Sequence, residues 1–259
     1  MSCNHRTGRA RAAAAAGLAA ALLLSIALPA TADRADLNAF LERAHRMCTF
    51  NGPARADISI TYADGKTDEA VLIVSPGEKR QFLAFKSSGW RALMPMGWGN
   101  GKAVKAAGGE PVAFSADEPL AGSDVRAMEF FPFWETDYST AFISDSSRLA
   151  KTITLYAPDE VPYILFVITF DKARLVPLAT KYYKDEMNNL VRLRSDSDHV
   201  MVGSRPRPQK IEITDYDENR TTTLALSWRT LDQVPAGVTS DASFHKAEIE
   251  WAGETVASN

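Results

Sequence analysis

Three histidines follow residue 32, His45, His199 and His245, and no two of them have metal-ligand spacing. A zinc site on a helix or hairpin needs ligands a few residues apart, and neither a His-Glu-x-x-His helix nor a Cys-x-x-Cys pair occurs. Asp215-x-Asp217-x-Asn219 opens like a calcium loop. Arg220 then stands where the sharp turn needs glycine, and Leu226 where a bidentate glutamate is required. The pattern reads as a hairpin turn with polar tips. Ser243-Phe244-His245-Lys246 has the Ser-x-x-Lys spacing of penicillin-binding enzymes without the Ser-Asp-Asn and Lys-Thr-Gly elements that complete their site. The loop Gly97-Trp98-Gly99-Asn100-Gly101 lacks Walker spacing and runs into a strand pattern, so no helix N-terminus follows it to hold a phosphate. The residues therefore predict no catalytic centre, no metal and no cofactor, and an enzyme is not expected.

What the chain has instead is apolar surface. Trp90, Met94, Met96 and Trp98 put four large apolar residues on one short strand and its loop, the first three with the same strand parity. Met128-Glu129-Phe130-Phe131-Pro132-Phe133-Trp134 has no strand pattern and is more apolar than a loop needs to be. Methionine and aromatic side chains make broad, adaptable packing surfaces. Trp90, Met94, Met96, Trp98, Phe130, Phe131, Phe133 and Trp134 are the candidate ligand-binding residues. The first three are expected to face an interior cleft, and the run from Phe130 to lie across its mouth.

The elements that position them are mainly strands. Residues 1–32 read as an export signal: Arg6, Arg9 and Arg11 precede a seventeen-residue apolar run, and Ala30-Thr31-Ala32 supplies a small-x-small cleavage site. That run is marginal for crossing roughly 30 Å of hydrocarbon, so cleavage before Asp33 is expected, leaving one domain over 33–259 in the periplasm. Without those three arginines, 29 basic residues fall to 26 against 32 acidic ones, a net of −6, which argues against nucleic acid as a partner. Cys48 is then the one remaining cysteine, so no internal disulfide forms. Leu37, Phe40, Leu41, Ala44 and Cys48 share one face at helical spacing, which predicts a helix from Asp33 or Asp36 to about Met47 with a buried thiol at its end. From residue 57 onward, alternating apolar positions broken by turns such as Ala63-Asp64-Gly65-Lys66 predict about ten antiparallel strands, with further turns at Asn188-Asn189 and over 195–198.

The order of these parts resembles the LolA-like superfamily of outer-membrane lipoprotein-sorting proteins. The family's Leu-x-Pro strand, basic strand and Gly-Ser/Thr-Asp segment look like Leu93-Met94-Pro95, residues 102–105 and Gly122-Ser123-Asp124. Its C-terminal half resembles the Pro177 strand with Tyr182 and Tyr183, then Pro208-Gln209-Lys210-Ile211, an aspartate turn, the Thr-rich strand 221–228 and Phe244. The family's acidic-aromatic continuation after Gly-Ser-Asp is replaced here by Val125-Arg126-Ala127-Met128. The resemblance implies a mainly β (α+β) fold: an open, strongly curved antiparallel half-barrel covered by a few helices. It also implies a monomeric periplasmic carrier of lipid or lipoprotein acyl chains, with an inner-membrane exporter and an outer-membrane acceptor as partners. A lipid- or lipoprotein-sensing regulatory module on the same fold is the alternative.

Overall fold

Among the described residues, thirteen antiparallel strands form one sheet, and their order follows almost directly from the chain. The computed structural model describes residues 31–96, 101–104, 109–115, 118–130, 141–156, 163–185 and 189–252. Residues Leu37–Asn259 form one compact unit and Met1–Asp36 another. Helix α1 (Thr31–Cys48) leads into β1 (Ala54–Thr61), β2 (Thr67–Ser75), β3 (Arg80–Phe85), β4 (Arg91–Pro95), β5 (Gly101–Val104) and β6 (Val112–Phe114). After a connection come β7 (Ala141–Asp145), β8 (Ala150–Tyr156), β9 (Leu165–Asp171), β10 (Pro177–Tyr183), β11 (Leu190–Val202), β12 (Arg205–Asp215) and β13 (Arg220–Thr230). Neighbours in sequence are neighbours in the sheet except β6 and β7, which are its two edges, and the two halves join where β1 pairs with β13, from Ala54 opposite Thr230 to Thr61 opposite Thr223.

The hairpins form where turn chemistry demands them. Gly65 takes a left-handed φ of 81° at the β1–β2 turn, where Tyr62 N–H donates to Lys66 O at 2.9 Å. Asp215 accepts the N–H groups of Asp217 and Glu218 at 3.0 and 3.1 Å, so the calcium-like sequence is a side-chain-stabilised β12–β13 turn. The turn expected over 195–198 is not one. Those residues continue β11, with Asp198 at φ 53° as a local irregularity, and the chain reverses at Gly203-Ser204. The polar run misleads because Asp196 is buried on the sheet, opposite Ile211, and paired with Arg194.

The sheet has an inner face, bearing α1 and residues 118–130, and an outer one. On the inner face, Ile58, Leu72, Leu83, Met94, Ile211 and Leu224 belong to one apolar cluster, completed by Leu120, Val125 and Ala127. A second cluster unites Phe166, Ile168, Phe170 and Tyr182 with Leu37, Phe40 and Ala44 of α1, so the expected helical stripe is buried. Phe40 meets the Phe170 ring edge-on at 5.5 Å. Asp36 lies within the helix, not at its cap.

On the outer face, Val71, Ile73, Phe82, Ala84 and Leu93 are covered by the C-terminal segment through Val238, Phe244 and Ala247. Two arginines clamp that segment. Arg55 donates to Glu250 O, and Arg91 donates to His245 O at 2.7 Å. Strands β3 and β4, and β2 from Ala70 onward, are therefore buried on both faces, whereas Ser59 and Thr61 of β1 stay exposed. The Ser-x-x-Lys match falls in this cover: the Ser243 hydroxyl donates to Gly237 O at 3.2 Å, and Lys246 is exposed. Phe244→Ala should lower stability by about 3–5 kcal/mol, as for large core truncations generally. Urea unfolding followed by tryptophan fluorescence measures it. A loss below about 1 kcal/mol would mean that the C-terminal segment is not part of the cooperative unit.

Candidate functional site

Strand β11 puts charge where its neighbours put apolar side chains. Arg192, Arg194 and Asp196 alternate along its inner face, opposite Asp215, Ile213 and Ile211 of β12. A guanidinium without water must find several acceptors, and Arg192 finds three, one on the facing strand β12 and two on the connection between β6 and β7. Its Nε donates to Glu129 Oε1 at 2.6 Å, its Nη1 to Asp215 and its Nη2 to Asp124 O at 2.6 Å. Arg194 forks onto Asp196 at 2.6 and 2.8 Å and also donates to Glu129 O. Burial pushes the Glu129 carboxyl up, against the pull of Arg192 beside it.

This network explains the Gly-Ser-Asp segment. Ala121 and Gly122 both turn through left-handed φ, 54° and 75°, and Ser123 Oγ accepts the Val125 N–H at 3.1 Å. Asp124 is thereby aimed at β13, where it accepts from Arg220 at 3.1 Å and Thr222 at 3.4 Å. Val125, Ala127 and Met128, the residues that depart from the family pattern, drop into the two apolar clusters: Val125 and Ala127 into the first, Met128 into the second. The segment 118–130 thus bridges the two halves of the inner face and is fastened to its charged seam.

Beside that seam lies a pocket of about 750 Å³, counting its open mouth. Its floor is β10–β13, with Val176, Pro177 and Thr180, then Arg194, Asp196 and His199, then Pro206, Arg207, Pro208 and Ile211, then Leu226 and Trp228. Leu72 and Gln81 come from β2 and β3, Cys48 and Phe50 from the end of α1 and beyond, and Phe130 from the crossing segment. Trp228 is fixed by its Nε1–H donating to Pro208 O at 2.8 Å and by the Phe50 ring at 5.6 Å. Arg207 stacks on the other aromatic contact, its Cζ 3.9 Å from the Phe50 centroid. Cys48 is partly covered, yet burial of its Sγ pushes the thiol up to about 12, and it donates weakly to Leu175 O at 3.7 Å. Burial also lowers the His199 imidazole, which keeps it neutral near pH 7.

Of the residues singled out from the sequence, Phe130 lines this pocket. Trp90 and Met94 do face the inner side, but as sealed core: Trp90 packs edge-on between Phe85 and Phe114 at 5.8 and 5.7 Å, and Met94 is 1% exposed. Met96 is half-buried against the same cluster. Trp98, Phe131, Phe133 and Trp134 lie outside the described residues. Reading the sequence did not single out Phe50, Arg207 and Trp228. Pro208, Ile211 and Trp228 do belong to stretches that carry the family resemblance, and that was the available signal.

Solved structures share this architecture. An outer-membrane lipoprotein-sorting protein domain from Vibrio parahaemolyticus matches with a TM-score of 0.69 at 12% identity, over 80% of this chain and 97% of that one. A DUF1329 family protein from Desulfovibrio piger matches at 0.68 and 13%, over 81% and 98%. A LolA superfamily protein from Nitrosomonas europaea matches at 0.56 and 15%, over 78% and 96%. No family model matches the sequence, and no curated protein does. The chain has the LolA-like fold, an open antiparallel half-barrel with its sheet ends unjoined among the described residues. No helix among the described residues is long and apolar enough to cross a membrane.

Two outcomes follow from the site's chemistry. Glu129→Ala strands Arg192 and should cost about 3–5 kcal/mol. The double variant Glu129→Met with Arg192→Met should lose less than the sum of the single changes. Additive losses in urea unfolding would show that the pair is not coupled. Cys48 should react at pH 8 at least about tenfold more slowly with a thiol reagent than in the urea-unfolded chain, because a pKa near 12 leaves little thiolate. Equal rates would contradict the burial.

Proposed function

We propose that this chain is a non-enzymatic carrier that shields acyl chains in the pocket between β10–β13 and the end of α1, and moves them between membranes. The observation that carries this reading is the pocket's build. Phe50, Leu72, Phe130, Ile211, Leu226 and Trp228 give it a mainly apolar lining, with Arg194, Asp196 and Arg207 as its charged groups. The LolA-like fold supports it, since one solved structure of this fold is described as a lipoprotein-sorting domain. Each buried methylene is worth about 0.8 kcal/mol, so a long chain gains enough from such a pocket to leave a bilayer for a water-filled space. On this reading the carrier works in the periplasm after removal of residues 1–32. It receives cargo from an inner-membrane exporter and delivers it to an outer-membrane acceptor.

Mass spectrometry of lipid co-purified with the exported protein tests the reading directly. Phe130→Glu, at a half-buried pocket wall, should stay folded and lose the lipid. Met94→Glu puts a charge into sealed core and should fail to fold. A folded Phe130→Glu variant that keeps its full lipid complement would move the site elsewhere.

A further inference from the structure

The pocket is not neutral. Arg194 and Asp196 cancel one another through their forked pair. Arg207 has no such partner. Its Nη1 donates to two backbone carbonyls, Pro206 at 2.7 Å and Met47 at 3.2 Å. Its Nε and Nη2 are buried and have no hydrogen-bond partner among the described residues. The residue is only 5% exposed, and no carboxylate is among the groups acting on it. Burial lowers its guanidinium to about 10, so the charge persists at neutral pH. Among the described residues, the charged lining therefore leaves one uncompensated cation, on a chain whose net charge is −3.

Which edge is left matters. Nε–H and the Nη2 N–H beside it form the side-on fork of arginine, two parallel donors spaced for the two oxygens of a carboxylate. The guanidinium carbon sits over the Phe50 ring, 3.9 Å from its centroid. A buried charge with three of its five N–H donors unused is costly for a protein to retain, and an anionic head group placed on that fork relieves the cost. The other polar atom without a partner on this wall, His199 Nε2, belongs to an imidazole kept neutral by burial, which adds a hydrogen-bonding position but no second charge.

Building on the carrier reading, we propose that the pocket takes a single-chain fatty carboxylate, its head forked on Nε and Nη2 of Arg207 and its chain against Leu72, Ile211, Leu226 and Phe130. The free edge is shut off from water in this structure, so the head reaches it as Phe50 and the end of α1 give way.

Titration calorimetry on the purified chain tests this with palmitate, hexadecanol and palmitoyl lysophosphatidate, each below its micelle concentration. Palmitate should bind at least about tenfold tighter than hexadecanol, and tighter than the lysophosphatidate. Arg207→Gln should lower palmitate affinity by at least about tenfold while leaving hexadecanol binding unchanged. Arg207→Lys, which keeps the charge but not the fork, should fall between. A urea midpoint for Arg207→Gln no lower than that of the unaltered chain shows that the variant is folded. Palmitate bound equally well by Arg207→Gln overturns the proposal, and so does hexadecanol bound as tightly as palmitate. Tighter binding of the lysophosphatidate overturns the carboxylate assignment. Should the unaltered chain bind none of the three, the carrier reading itself fails, whereas binding of hexadecanol without an Arg207 effect leaves that reading standing.

Discussion

Arg192 cannot be buried unless the connection between β6 and β7 comes to it, and much of the inner face is arranged by that demand. Its acceptors are Glu129, Asp215 and the carbonyl of Asp124. Two of these lie on the connection between β6 and β7, which hydrophobic burial alone would leave free to slide along an apolar surface. Burial is non-directional, whereas a guanidinium with fixed donors sets position and orientation together. The charged row on β11 thereby fixes where residues 118–130 cross, and Leu120, Val125, Ala127 and Met128 fall into the apolar clusters on either side. The net stabilisation from such a network is small, because desolvation offsets most of its Coulomb energy. Its consequence is register.

Fixing the crossing segment also shapes the pocket. Helix α1 covers the cluster over β8–β10, and the crossing segment covers the one over β1–β4. Between them the end of α1 and Phe130 meet over β10–β13, and space remains. Three prolines at this point, Pro177, Pro206 and Pro208, sit in strands without a donor of their own, and the β9–β10 register shifts beside Pro177. The carbonyls of Pro206 and Pro208 instead receive Arg207 and Trp228. The wall is therefore built from side chains folded back onto their own sheet, which holds Trp228 in place before anything binds.

Much of the fold was legible because it rests on local rules. The stripe of Leu37, Phe40 and Ala44 has helical period, and the turns at Gly65 and over 217–219 have their own chemistry. Strand alternation placed Trp90 and Met94 on the inner face correctly. It could not separate core from cleft, since both demand the same residue types. The short edge strands β6 and β7 had no pattern long enough to read. Residues 195–198 misled because a buried ion pair looks like a polar turn when its partners are unseen. The pocket was hardest to find. Phe50, Arg207 and Trp228 lie on three separate parts of the chain, and the β1–β13 closure and the β12–β13 pairing bring them together.

Two arginines on neighbouring strands show how a structural charge differs from one that awaits something. Arg194 and Arg207 both line the pocket, and both are largely shielded from solvent. Arg194 donates through Nε and Nη2 to one carboxylate and through Nη1 to a carbonyl, so its side-on fork is filled by its own chain. Arg207 fills only Nη1. Had both been needed only for packing, a methionine would serve at either position, with no charge to desolvate. The second position keeps the charge without the acceptor. The oxygen pair that Asp196 offers Arg194 is therefore what Arg207 lacks, and a ligand carboxylate is the group that would reproduce it.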